Sequence, residues 1–216
     1  MLAIWVKETL PPEKRIKPDI KAMGDAWRTL FADRAFIGMT FIGAFAITGV
    51  FIYLGNSAFV LSQHYGLSPR QYSLAFSANA LAFFAATQLN GYLGNKYGMA
   101  RLPIPAAAGF ALTMCILAGL FVAGFDGFWV MACVLFVGFS FIGILLPTIM
   151  VLALENHGDI AGTAASLMNT VQMMIGATAI GVSGMLIKGS PTMMIVCIAG
   201  LSLATLACTF GTFKKK

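Results

Sequence analysis

Residues 127–154 read GFWVMACVLFVGFSFIGILLPTIMVLAL, with no Asp, Glu, Lys or Arg anywhere in the run. A helix rising about 1.5 Å per residue needs about 20 apolar residues to cross a hydrocarbon core about 30 Å thick. This run passes with residues to spare. Five more charge-free runs of similar length fill nearly all the rest after Ala35: Ala35–Gln63, Gln71–Asn95, Leu102–Phe125, Ile160–Ile187 and Gly189–Phe213. In hydrocarbon every backbone N–H and C=O must be paired internally, which leaves helices or closed barrels. The runs are continuous and lack the period-two alternation of barrel strands, so the barrel is excluded. The expectation is an all-α integral membrane protein. It has a linker over 1–34, a bundle of six transmembrane helices over 35–213, and a basic tail over 214–216.

Composition agrees with this. The chain is 59% hydrophobic and 10% charged, with a mean hydropathy of +0.85. Soluble domains carry about 25% charged residues. The net charge of +6 is unevenly placed. Twelve of the fourteen Lys and Arg fall on one expected side: seven before the first run, Lys96 and Arg101 between the second and third, and Lys214–Lys216 at the end. Only Arg70 and Lys188 fall opposite. The positive-inside bias then places both termini in the cytoplasm, and the basic residues orient the chain instead of binding nucleic acid. Cys115, Cys133, Cys197 and Cys208 all lie in apolar runs without metal-ligand spacing, and read as small buried side chains. No metal or cofactor is expected, and with no HExxH or GxSxG no enzyme either.

Punctuation follows the same plan. Ser68, Pro69 and Gln71 spell a helix start, with Ser68 as N-cap, proline at the first turn and Gln71 closing a capping box. Pro103, Pro105 and Pro191 sit where helices begin and a missing N–H costs little. Pro147 lies deep in its run after Gly138 and Gly143, and is the candidate hinge or packing kink. Trp27 to Arg34 fits either an interfacial helix or a plain loop.

No ionisable residue sits near the middle of any run; Asp126, Glu155, His157, Asp159 and His64 read as loop residues. A proton-coupled pump needs an intramembrane acid or His, and this chain offers none. Uncharged polar residues do occur at depth. Asn79 and Asn90 share a stripe with Ala82 and Ala86, and Ser166, Asn169, Gln172 and Gly176 form a comparable one. Asn56 and Gln88 are further candidates. Each either lines a cavity or makes an interhelical hydrogen bond. Small-xxx-small pairs at Ala78–Ala82, Gly162–Ser166 and Ala177–Gly181 suit close helix packing.

Gly91-Tyr92-Leu93-Gly94-Asn95-Lys96-Tyr97-Gly98-Met99-Ala100-Arg101 resembles the loop signature of the major facilitator superfamily, G-x-L-x-x-K/R-x-G-x-x-K/R. The surroundings resemble Bcr/CflA-type drug/proton antiporters: Glu8 to Arg15 the exit of helix 6, Asp33 to Gly38 and Asn56 to Leu61 helix 7, Phe76 to Leu81 and Gln88 to Gly91 helix 8, and Ala161 to Leu167 the start of helix 11. The resemblance covers essentially the whole chain and maps it to helices 7–12. Asn95 stands where the signature has an acid, and Ile160 where a basic residue is common, so neither an ion-pair gate nor a charge latch is expected there.

The resemblance implies the C-terminal half of a multidrug efflux antiporter in a bacterial-type inner membrane, multi-pass. It implies that a partner N-terminal six-helix half exists as a separate chain or has been lost, and that the proton-coupling acid belongs to that half. The expected substrates are small, amphipathic and drug-like, with membrane lipid as surroundings. Candidate cavity residues are Tyr53, Asn56, Asn79, Asn169 and Gln172. Gly91, Leu93, Lys96, Gly98 and Arg101 carry the loop motif, Lys96 and Arg101 as anchors. The alternatives are a truncated or split fragment inactive without its other half, a self-sufficient homodimeric carrier, and a membrane scaffold that transports nothing.

Overall fold

A computed structural model describes residues 20–187 and 189–213. The readings of the linker before Ile20, of the helix-6-like segment within it and of the basic tail lie outside the described residues.

Among the described residues every regular element is helical. Helix α1, Ile20–Ala32, is followed by α2, Arg34–Phe59, which continues through a wider turn at Val60–His64. Then come α3 (Pro69–Tyr97), a short turn at Met99–Arg101, α4 (Pro103–Val122) and α5 (Phe128–Glu155). A second short turn at Gly158–Ile160 leads to α6 (Ala161–Ile187) and α7 (Pro191–Phe213). The capping box at Ser68 forms as read: Gln71 N–H donates to Ser68 Oγ and Ser68 N–H to Gln71 Oε1.

Among the described residues five helices are long and apolar enough to cross a membrane: α2, α4, α5, α6 and α7. The protein is a multi-pass membrane protein. Helix α3, the remaining long helix, has 29 residues, about 44 Å of helix, but Ser73, Ser77, Asn79, Thr87, Gln88 and Asn90 dilute its apolar content below that of the others. The sixth expected span therefore has the length but not the composition.

The packing has an internal order. Helix α2 packs on α5, α6 and α7; α5 packs on α2, α3 and α4; α4 and α7 pack on each other. Exchanging α2 with α5, α3 with α6 and α4 with α7 maps this set of contacts onto itself. Three-helix units related in this way are inverted repeats when an odd number of crossings separates them. Buried apolar side chains such as Phe36, Ile42, Phe110, Leu135, Ile142 and Ile198 fill the centre.

Glycines permit close approach in two helix pairs, α2 with α6 and α5 with α3, that correspond under the same exchange. A Cβ on Gly43 of α2 would run into Gln172 of α6, and one on Gly143 of α5 into the Phe83 carbonyl of α3. The small-xxx-small pairs read from the sequence do not do this work. Ala78, Ser166 and Ala177 are exposed, and a Cβ on Gly162 or Gly181 would meet nothing within 4 Å. These five residues lie on faces of α3 and α6 that no element among the described residues covers, while Ala82 belongs to the buried stripe of α3.

Helices α3 and α6 each bury only a narrow stripe. On α3 it is Asn79, Ala82, Ala86, Asn90 and Gly94. The Asn90 carboxamide meets Thr148 Oγ1 of α5 at 2.9 Å. The single Thr148 hydroxyl proton also faces Ile144 O at 2.7 Å, so the bond to Asn90 is best made with the amide turned to donate. Pro147 sits inside an unbroken α5 and withholds a backbone donor from the Gly143 carbonyl.

The break between α1 and α2 is Asp33, in the stretch that by sequence fits either an interfacial helix or a loop. Asp33 Oδ1 accepts from Ala35 N at 2.8 Å and caps α2, while Oδ2 lies 3.4 Å from His157 Nε2. His157 is buried, with Nδ1 3.0 Å from Ala153 O and its ring edge-on to Phe36. Above this joint α1 buries Ala26 and Leu30 and exposes Met23, Trp27 and Phe31, a stripe at four-residue spacing. Loss of an N-cap oxygen costs about 1 kcal/mol. Asp33→Ala is expected to lower unfolding stability in a mixed-detergent titration by about that amount, and Asp33→Asn, which keeps the cap, by much less. Equal losses would assign the role to the His157 pair.

Candidate functional site

Tyr53 of α2 and Asn79 of α3 meet in the interior, 2% and 4% exposed. Helix α3 carries Asn79 on its buried stripe, and α2 is enclosed by its neighbours along that length. Asn79 Nδ2 donates to Tyr53 Oη at 3.3 Å and to Ala75 O at 3.2 Å. Turning the amide over would set Oδ1 against the Ala75 carbonyl, acceptor to acceptor, so this orientation is the favoured one. It leaves Asn79 Oδ1 buried with no hydrogen-bond partner. Such a group costs about 1–3 kcal/mol.

The surroundings of the pair are aromatic. The Tyr53 ring stacks parallel on Phe76 at 6.3 Å and stands edge-on to Phe139 at 5.3 Å. These rings, with Val50, Phe51 and Phe83, line a cavity of about 250 Å³. Asn79 lines a second, larger cavity too, about 490 Å³, between α3 and α5 toward Gln71, Leu74 and Trp129. One carboxamide thus stands at the boundary of two almost wholly apolar spaces. Oδ1 itself is shielded in this arrangement, so a molecule carrying a donor on an apolar or aromatic body would reach it only as the amide or its neighbours shift.

The other candidates are placed differently. Asn56 Nδ2 donates to Ile52 O at 2.9 Å and to Ser183 Oγ at 3.1 Å, tying α2 to α6. Gln172 is buried against Gly43. Asn169 and Ser166 are exposed on α6, off the buried stripe of Ala164, Met168, Gln172 and Gly176. Gln88 is exposed as well. The structure joins Tyr53 with Asn79, holds Asn56 and Gln172 in separate α2–α6 contacts, and leaves Asn169 on an uncovered face.

The loop motif occupies the end of α3 and the turn after it. Gly98 takes φ +86, a conformation that disfavours other residues. Gly94 lies under Met99, whose Sδ would be 2.5 Å from an added Cβ. Lys96 Nζ stands 5.3 Å from the Tyr97 ring and 5.8 Å from Tyr92. Gly91, Arg101 and Asn95 are exposed, and Leu93 is half-buried.

At the opposite end of the bundle, sequence reasoning missed a link between two turns. His64 Nε2 lies 3.3 Å from Asp126 Oδ2, and Tyr65 donates to Asp126 O at 2.8 Å. Burial, with the Asp126 charge adding to it, pushes the Tyr65 phenol up to about 12, so it remains a donor at any ordinary pH. The two turns are far apart in sequence, and no local pattern announces the contact.

With this geometry in view, the comparisons with known proteins are consistent with one another. The family model described as Major Facilitator Superfamily matches residues 1–181. A Bacillus subtilis (strain 168) protein described as the uncharacterized MFS-type transporter YdgK is 28% identical over 183 residues, covering 82% of this chain and 44% of its own length. A Haemophilus influenzae protein described as a bicyclomycin resistance protein homolog is 28% identical over 181 residues, covering 80% of this chain and 43% of its own length. The chain spans less than half the length of these curated relatives. No solved structure matches.

Proposed function

The chain belongs to the major facilitator superfamily, a family of transporters and not of enzymes, and from that premise we propose that it acts as the C-terminal six-helix half of a drug-efflux transporter. The described helices α2 to α7 stand for helices 7–12, α3 included as a membrane span, in a bacterial inner membrane with both termini cytoplasmic. An N-terminal half covers α3 and α6 and brings the proton-coupling acid. The two halves rock around a shared central cavity, with Gly143 and Pro147 of α5 as the joint. Asn169 then faces the partner half across the pathway, and Tyr53 with Asn79 supplies this half's polar contact to substrate.

The observation that supports this reading is Asn79 itself, a residue that lines two aromatic and aliphatic cavities and whose buried Oδ1 has no hydrogen-bond partner. A buried acceptor without a partner is expensive for folding, and a substrate donor compensates for it. Apolar lining with one such acceptor suits small amphipathic molecules, in keeping with the resistance phenotype in the name of the Haemophilus influenzae relative. The uncovered faces of α3 and α6, where Leu81 and Met174 are 65% and 66% exposed, give the partner half its surface.

The test is reconstitution from halves. The chain co-expressed with an N-terminal six-helix half from a relative is expected to lower cellular accumulation of an amphipathic dye several-fold, and neither half alone to do so. Gln172→Leu in this chain is expected to reduce that export at equal membrane levels. Export by this chain alone would reject the half-transporter reading. Wild-type export by the variant would restrict Gln172 to packing.

A further inference from the structure

At the end of the bundle that carries the loop motif, α3, α4 and α5 leave a cleft of about 370 Å³ between them. Its walls are Leu93, Leu102, Pro105, Ala106, Phe141 and Ile144, and its mouth is formed by Tyr97 and Arg101. The lining is apolar from Phe141 and Ile144, well inside α5, out to the mouth, where Arg101 is the one charged lining residue. Lys96 is held beside that mouth by its approach to the Tyr97 ring, the same ring that borders the cleft. Tyr92 and Tyr97 are both exposed, the placement of aromatic residues at the level of lipid headgroups.

We infer that this cleft binds an anionic phospholipid, with the phosphate on Arg101 and Lys96 and one acyl chain between α3, α4 and α5. The distribution of chemistry supports that occupant. A fully apolar ligand would have no use for two cations at the entrance, and a small soluble anion none for a long apolar slot. A zwitterionic lipid fits the slot but places its own cation beside theirs. Basic pockets between membrane helices select anionic headgroups by these same means. Gly98, with its positive φ, ends α3 between the two cations, of which Arg101 lines the cleft and Lys96 lies against the Tyr97 ring that borders it. The site is separate from the Tyr53–Asn79 cavities, shares no lining residue with them, and holds whether or not the chain transports.

The experiment is native mass spectrometry of the full chain, purified in detergent, with three probes. They are phosphatidylglycerol, phosphatidylcholine with the same acyl chains, and glycerol 3-phosphate. Phosphatidylglycerol adducts are expected at least ten-fold above phosphatidylcholine, with none from glycerol 3-phosphate. Lys96→Gln with Arg101→Gln is expected to abolish the preference, and Arg70→Gln, at the opposite end, to preserve it. Leu93→Trp, which fills the slot and leaves the charges, is expected to reduce phosphatidylglycerol binding several-fold. Should that variant not fold, phosphatidylglycerol with six-carbon chains examines the same seat and is expected to bind less than the long-chain form. Equal binding of the two headgroups, or a preference that survives loss of both cations, overturns the site. Binding of glycerol 3-phosphate or the short-chain lipid as strong as that of the full lipid overturns the acyl seat.

Discussion

Gly143→Val is expected to remove nearly all folded protein from the membrane fraction, at least a ten-fold loss of material that elutes as a single species in detergent. A Cβ at this position would overlap the backbone carbonyl of Phe83 and approach Ala86 Cβ to 2.9 Å. Neither can turn aside: one is main chain inside α3, the other a methyl on the stripe that α3 buries. Overpacking a fitted contact costs about 1–3 kcal/mol when side chains give way, and more is expected where backbone must move. Helix α3 has little else to hold it, since α5 is its chief neighbour and most of its surface is uncovered. Pushing α3 off α5 also separates Asn90 from Thr148 and Asn79 from Tyr53. Gly200→Val makes the comparison, because a Cβ there meets nothing within 4 Å. It is expected to accumulate like the parent, and equal loss in both variants would trace the effect to β-branching in a helix and away from this contact.

The contrast between those two glycines shows where sequence reasoning reaches its limit. Apolar runs set helix existence, since length and hydrocarbon thickness are local quantities, and the capping box at Ser68 is equally local. The stripe of Asn79, Ala82, Ala86 and Asn90 was legible because 100° per residue is fixed by helix geometry, and it is the face α3 buries. The same arithmetic was less discriminating on α6. Gln172 and Gly176 continue the line from Ala164 and Met168, while Asn169 follows Met168 by one residue and stands about 100° away from it. Helical spacing groups Asn169 with Gln172 and Gly176, about 60° and about 20° away, and only the packing of α2 separates exposed Asn169 from them. Spacing could also not say which small residues meet a neighbour, because every face of a membrane helix is apolar and lipid substitutes for protein. The pairing of His157, a loop residue by sequence, with Asp33, in a stretch that fits an interfacial helix or a loop, is illegible for a related reason: it depends on how the start of α2 and the turn after α5 come together.

Tyr53→Phe combined with Asn79→Leu is expected to fold at least as well as the parent and to export substrate ten-fold less or worse when assembled with an N-terminal half. The opposed directions follow from one amide. In the folded chain Asn79 Oδ1 has no partner, a burden of about 1–3 kcal/mol. Leucine fills a similar volume without it, but Asn79→Leu alone takes from Tyr53 Oη the only donor it has among the described bonds. Removing both polar ends together leaves nothing unsatisfied, and such paired replacements are often neutral or stabilising. The ring of Tyr53 keeps its stacking on Phe76 and its edge contact with Phe139 as phenylalanine. A detergent-unfolding titration is therefore expected to show the double variant level with or above the parent, and Asn79→Leu below the double. A residue kept for packing would give the opposite pairing, a loss of stability together with unchanged export. If the acceptor exists for a substrate donor, stability rises as function falls, and the two measurements on one variant separate the readings without knowledge of which compound is carried.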